Sequence, residues 1–150
     1  MVITLKNLMF YSSMNDFNQL PTVKKLEMLS LERGLSKDLH SFINKLKQIY
    51  TMELVHSHCK PIFQHEYALS NLKAMEYKLR LASNAVRNSV HTMLEKANII
   101  GYFDVILSNQ DVKRAKPDPE IYTTAISSLQ MKPQQCLVIE DNDKGIRAAK

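Results

Sequence analysis

Polar residues that suit phosphate chemistry follow two of the apolar runs in the last third of the chain. Ser83 follows one run, Glu140 and Asp141 follow another, and Lys116 lies between them in the sequence. A hydroxyl and an ammonium group bind anionic oxygens. Two adjacent carboxylates suit Mg²⁺, which accepts one or two carboxylates together with substrate oxygens and water. These residue types therefore predict phosphoryl chemistry that uses Mg²⁺ as a cofactor.

The elements that must position these residues are predicted strands at 79–82, 103–107 and 137–139, with helical patterns between them. Strands that alternate with helices in this way are typical of a parallel sheet. In such a sheet, ligands bind at the carboxyl ends of the strands, which share one edge. The strand ends are therefore expected to gather the polar residues into one site.

The spacing of the polar residues agrees with this arrangement. Ser83 and Lys116 are 33 positions apart, and Lys116 and Asp141 are 25 apart, which allows one strand–helix excursion in each interval. Ser83 and Asn84 are expected to begin a helix, whose amide groups add to the binding of an anion.

A separate helical pattern runs from about residue 20 to residue 60. Pro21 suits the start of a first helix and Gly34 its end, and Ser36 is a candidate cap for a second. The second helix carries an apolar stripe made of Leu39, Phe42, Ile43, Leu46, Ile49 and Tyr50. A third helix is expected after Pro61.

Three motifs in this order resemble those of the haloacid dehalogenase (HAD) superfamily of phosphate-transferring hydrolases, in its phosphoglycolate phosphatase-like and β-phosphoglucomutase-like branch. They are Ser83-Asn84, then Lys116-Pro117-Asp118-Pro119, then Glu140-Asp141-Asn142-Asp143-Lys144-Gly145. The resemblance implies that Ser83 and Asn84 bind the phosphoryl group and that Ser83 and Lys116 take part in catalysis. It also implies that Glu140 and Asp141 hold Mg²⁺. Asn142 stands where the family usually has serine and keeps a polar helix cap.

The resemblance implies an α/β fold, in which a partial Rossmann-like parallel sheet follows an N-terminal α-helical cap lobe. The expected divisions are an irregular segment at 1–19, the cap lobe at 20–60 and an incomplete core at 61–150. The implied ancestral reaction is Mg²⁺-dependent hydrolysis or transfer of a phosphate monoester. The substrate is expected to be a small phosphorylated metabolite, which the cap selects.

The family's first motif, an Asp-x-Asp whose first aspartate is the nucleophile, is absent from these 150 residues. Asp141 and Asp143 have the spacing but belong to the last motif. The sequence is therefore expected to begin within the cap lobe, to lack the central strand and to end before the last strand. As an alternative, Val2–Leu5 forms the central strand, and Lys6-Asn7 then stands where the nucleophile belongs.

Three functional interpretations remain open. The chain is an inactive derivative of a phosphatase, or a non-catalytic relative that binds phosphate and Mg²⁺ or another protein, or a chain whose partner supplies the missing nucleophile.

The composition favours an ordinary globular protein with 45% hydrophobic and 23% charged residues. The net charge is +5, but no run of five like charges occurs, so no nucleic-acid partner is expected. No apolar run approaches the roughly 18 residues of a membrane span, and no signal peptide is recognised, so no membrane partner is expected. With two cysteines, Cys59 and Cys136, a disulfide is not expected and a cytoplasmic location is predicted. The oligomeric state is left open.

Overall fold

The computed structural model describes residues 2–3 and 21–150, with the main chain alone for residues 2 and 3. The chain forms two compact units, one made of Met1–Met9 with His58–Lys150 and the other of Phe10–Ser57. The predictions for Lys6-Asn7 and for most of the segment 1–19 lie outside the described residues.

The larger unit contains a parallel sheet with helices between its strands. Its strands are β1 (Val2–Ile3), β2 (Arg80–Ala82), β3 (Val105–Leu107) and β4 (Val138–Ile139). Its helices are α3 (Phe63–Ala74), α4 (Arg87–Lys96), α5 (Glu120–Ser127) and α6 (Asp143–Ala149). Within the described residues the strand order is β3, β2, β1, β4, and every pairing is parallel. The predicted alternation of strands and helices is confirmed.

Strand β1 occupies the centre of the sheet. Its residues pair with β2 through Val2–Arg80 and Ile3–Leu81, and with β4 through Val2–Val138 and Ile3–Ile139. The expectation that the central strand is missing is therefore wrong, and the alternative at the N-terminus is correct for Val2 and Ile3. Two β-branched residues suit a strand, and pairing on both sides satisfies their main-chain hydrogen bonds.

The core of the larger unit lies around β2 and the helices that cover it. Leu81 and Ala82 in β2 are fully buried. One core cluster joins this strand to its neighbours and consists of Ala82, Leu107, Ile121, Tyr122, Ala125 and Ala148. Because both faces of β2 are buried, its side chains are apolar, with one exception.

The exception is Arg80, which is buried within β2. Its guanidinium donates to the side-chain hydroxyl of Ser128 and, at 3.2 Å, to the Ser128 carbonyl oxygen. Burial lowers the pKa of Arg80 from its usual value. These bonds tie the beginning of β2 to the C-terminal end of α5.

The smaller unit contains α1 (Thr22–Arg33) and α2 (Leu39–His58), except for His58, which belongs to the larger unit. Gly34 ends α1 with a left-handed backbone angle φ of 71°, a conformation that glycine adopts at little cost. Both helices are as predicted, but much of the apolar stripe of α2 is exposed, as in Phe42 and Tyr50. Among the described residues, no helix has the length and apolar character needed to cross a membrane.

Candidate functional site

Parallel pairing brings the carboxyl ends of β1, β2 and β4 to the same edge of the sheet. Ser83 directly follows β2, and Glu140 directly follows β4. Lys116 approaches the same edge from the segment before α5: its Nζ donates to Glu140 Oε1 at 2.5 Å and to the carbonyl oxygen of Ala82 at 3.1 Å. A lysine and a glutamate that are 24 residues apart in sequence therefore meet beside the residue that precedes Ser83.

The Lys116–Glu140 ion pair is almost completely withdrawn from solvent. Both side chains are 3% exposed. Besides Lys116, Glu140 Oε1 accepts from the Tyr122 hydroxyl at 2.7 Å. Glu140 Oε2 accepts from the Asn142 side-chain amide and from the Asp141 main-chain N–H, both at 3.2 Å. A buried charge pair persists only when further hydrogen bonds satisfy it in this way.

Ser83 is buried at the end of β2. Its N–H donates to the Leu107 carbonyl oxygen at 2.9 Å, and its Oγ accepts from the Ala85 N–H at 3.1 Å. The expectation that Ser83 and Asn84 begin a helix is wrong, because α4 begins at Arg87. The bond from Ala85 forms a tight serine turn instead, which delays the helix.

Asn84 contacts the main chain of Lys116. Its Oδ1 accepts from the Lys116 N–H at 3.2 Å, and its Nδ2 lies 3.5 Å from the Lys116 carbonyl oxygen as a donor. Asn84 therefore holds the segment that carries the lysine against the end of β2. Its binding of a phosphoryl group stays a prediction.

The loop after β3 is held by a carboxylate next to these residues. Asp111 Oδ2 accepts from the Ser108 N–H at 2.8 Å and from its hydroxyl at 2.6 Å, and Asp111 Oδ1 accepts from Arg87 at 2.5 Å. Burial raises the pKa of Asp111, but the hydrogen bonds from Ser108 and Arg87 outweigh it, and the pKa is lower than usual. Asp111 therefore connects the loop after β3 to the start of α4.

The loop after β4 is closed by Asn142 at the start of α6. Its Oδ1 accepts from the N–H groups of Lys144 at 3.0 Å and Gly145 at 3.2 Å, which confirms the predicted polar cap. Gly145 is required by the close approach of Glu140. A Cβ on Gly145 would lie 1.9 Å from the carboxyl carbon of Glu140.

We expect Gly145→Ala to destabilise the protein by about 1–3 kcal/mol, because the new methyl group must push the Glu140 carboxylate off its four donors. Urea unfolding of the full chain measures this. Gly101→Ala is the matched control, since a Cβ there meets nothing within 4 Å. Equal stability of the two variants would show that the glycine is not needed for the approach.

The described residues offer few ligands for a metal ion. No group of three His, Cys, Asp or Glu side chains lies close enough within this part of the chain to hold one. Asp141 is exposed, whereas the neighbouring Glu140 carboxylate is occupied by its donors. This donor set fits a Mg²⁺ ion that takes one carboxylate and fills its other positions with phosphate oxygens and water.

The roles of two residues in the site were not predicted from the sequence, although Gly145 is part of the last motif. Tyr122 lies in the first turn of α5, and Gly145 lies in α6. A tyrosine on an otherwise apolar helix face, six residues after Lys116, was the available signal for the first. The need for glycine depends on a three-dimensional approach that the sequence pattern does not contain.

Comparison with known proteins places this geometry in a family. Residues 7–150 match the family described as haloacid dehalogenase-like hydrolase. A phosphorylated carbohydrates phosphatase from Thermotoga maritima is 36% identical over 83 residues, which are 55% of this chain and 38% of the relative. A phosphoglycolate phosphatase from Aquifex aeolicus is 31% identical over 91 residues, or 61% of this chain and 43% of the relative.

Two solved structures have a fold similar to that of this chain. A putative β-phosphoglucomutase from Thermotoga maritima superimposes with a TM-score of 0.64 at 25% identity, covering 89% of this chain and 61% of that one. A predicted phosphoglycolate phosphatase from Haemophilus somnus gives a TM-score of 0.74 at 21% identity, covering 85% of this chain and 58% of that one.

The chain spans between 27% and 57% of the length of the curated relatives it matches. These relatives and structural neighbours include phosphatases and phosphomutases. The match nevertheless covers nearly all of this chain, including the three motifs at the sheet edge. The chain therefore belongs to the haloacid dehalogenase-like hydrolase family.

Proposed function

We propose that this chain binds the phosphate monoester of a small metabolite together with Mg²⁺ and does not hydrolyse it. The observation that supports the proposal most is the buried ion pair of Lys116 and Glu140, 2.5 Å apart beside the end of β2. A fixed ammonium group next to a strand end is suited to an anionic ligand. The phosphorylated carbohydrates phosphatase and the phosphoglycolate phosphatase among the relatives are named for phosphorylated metabolites.

Each residue at the edge has a role in this proposal. Ser83 and Asn84 contact phosphoryl oxygens, and Lys116 balances their charge. Asp141 is the main metal ligand, and Glu140, the other predicted ligand, reaches the ion only if one of its donors leaves. When bound, Mg²⁺ neutralises phosphoryl charge and orients the oxygens. The lobe at 20–60 is proposed to select the metabolite, and a cytoplasmic location remains a prediction.

The proposed absence of turnover is supported by the sequence after β1. In the family an aspartate ends this strand and forms an aspartyl-phosphate, a covalent route open to carboxylates. Here Thr4-Leu5-Lys6-Asn7 follows Ile3, and none of the four is acidic. The proposed groups can hold a phosphate, but they provide no nucleophile to receive it.

Isothermal titration of the full chain with inorganic phosphate tests the proposal. We expect binding that requires Mg²⁺, a loss of about 5- to 10-fold in affinity for Ser83→Ala, and a loss of the Mg²⁺ dependence for Asp141→Asn. Asp38→Asn removes a negative charge from the other unit and is expected to leave affinity unchanged. Phosphate binding that ignores Mg²⁺, or no binding by the wild-type chain, would contradict the proposal.

A further inference from the structure

Tyr122 lies where it contacts both members of the buried ion pair. Its hydroxyl donates to Glu140 Oε1 at 2.7 Å, and the Lys116 Nζ lies 4.7 Å from the centroid of its ring. The side chain is 3% exposed. A buried phenol requires a hydrogen-bond partner, and an aromatic face attracts a nearby ammonium group.

We infer that Tyr122 is a positioning residue for Lys116, acting through its ring and through Glu140. The face of the ring attracts the ammonium group through a cation–π interaction. The hydroxyl fixes Oε1, the same oxygen that accepts from Lys116. Tyr122 therefore fixes both the position of the Lys116 ammonium group and the orientation of the Glu140 carboxylate.

The local fold explains how the tyrosine reaches this position. Ile121, Tyr122 and Ala125 form the buried face of α5. Tyr122 packs in the same core cluster as Ala82, whose carbonyl oxygen accepts from Lys116. The ring is thus fixed by packing, and the hydroxyl extends from the core to the carboxylate. A residue that is fixed in this way can position another without contacting the ligand.

This inference rests on the proposed function for its effect on phosphate, but not for its effect on Lys116. Nitrogen-detected NMR of the lysine side chains gives a direct readout of the buried ammonium group, with Lys116→Met to assign its signal. In Tyr122→Phe the ring remains and the donor to Glu140 is lost. We expect the Lys116 Nζ signal to shift, its hydrogens to exchange faster, and phosphate affinity to fall by about 3- to 10-fold.

Tyr122→Leu removes the ring as well and is expected to reduce phosphate affinity by a further factor of about 2 to 5. Tyr77→Phe, which takes a hydroxyl from a tyrosine that is 51% exposed, is the control and is expected to change neither measurement. Thermal unfolding of each variant reports any structural loss. If Tyr122→Leu does not fold, the Lys116 Nζ signal in Tyr122→Phe tests the inference alone.

A Lys116 signal that is unchanged in Tyr122→Phe would overturn the inference, even if the unfolding temperature falls. If the wild-type chain binds no phosphate, the proposed function is wrong, and the Lys116 signal still decides whether Tyr122 positions the lysine.

Discussion

Lys116→Met is expected to destabilise the protein by about 3–5 kcal/mol and to abolish phosphate binding. Methionine has a similar length but carries no charge, so the Glu140 carboxylate would remain buried without its counter-ion. Both side chains are 3% exposed, and water cannot replace the lost ammonium group without opening the site. Urea unfolding monitored by circular dichroism measures the change in the free energy of unfolding.

Two variants separate the effect of charge from that of packing. Lys116→Met combined with Glu140→Gln removes both charges and is expected to recover much of the stability but none of the phosphate affinity. Lys73→Met breaks the ion pair with Asp104, whose side chains are 33% and 28% exposed, and is expected to reduce stability by about 1 kcal/mol or less. A Lys116→Met protein as stable as Lys73→Met would show that the buried pair contributes no more to the free energy of unfolding than a partly exposed pair.

The second large effect concerns catalysis. The full chain is expected to show no hydrolysis of an aryl phosphate with Mg²⁺ above the uncatalysed rate. Loss of a covalent nucleophile reduces turnover by an amount on the order of a million-fold. The positive control is a family phosphatase that hydrolyses the same compound under the same conditions.

Two other aspartates, Asp104 and Asp118, accept hydrogen bonds away from the end of β1. Asp104 accepts from Lys73 and the Leu79 N–H, and Asp118 accepts from the Glu120 N–H. Neither follows β1. Turnover that disappears in Asp141→Ala would contradict the prediction, and it would favour the interpretation in which a partner chain supplies the nucleophile.

The part of the site that could be predicted from sequence is the part that parallel-sheet topology fixes. Ser83 and Glu140 follow apolar runs, and the carboxyl ends of parallel strands must share an edge. The structure brings Lys116 to Glu140, as the spacing predicted. Strand β1 was harder to predict, because a two-residue strand has no periodicity that separates it from a loop.

The roles of individual contacts could not be predicted. Ser83-Asn84 has the composition of a helix cap, but the turn at Ala85 places the helix start at Arg87. Tyr122 looks like an ordinary core residue until its hydroxyl is seen on Glu140. These roles depend on distances between residues far apart in sequence, and residue type alone does not contain them.

Paramagnetic broadening by Mn²⁺, used in place of Mg²⁺ and with phosphate present, measures most directly whether one ion and one anion share the sheet edge. With the full chain labelled with ¹⁵N, we expect the amide signals of Ser83, Lys116 and Asp141 to broaden together, and that of Gly101 to stay sharp. Broadening confined to scattered surface carboxylates, with these three signals intact, would contradict it.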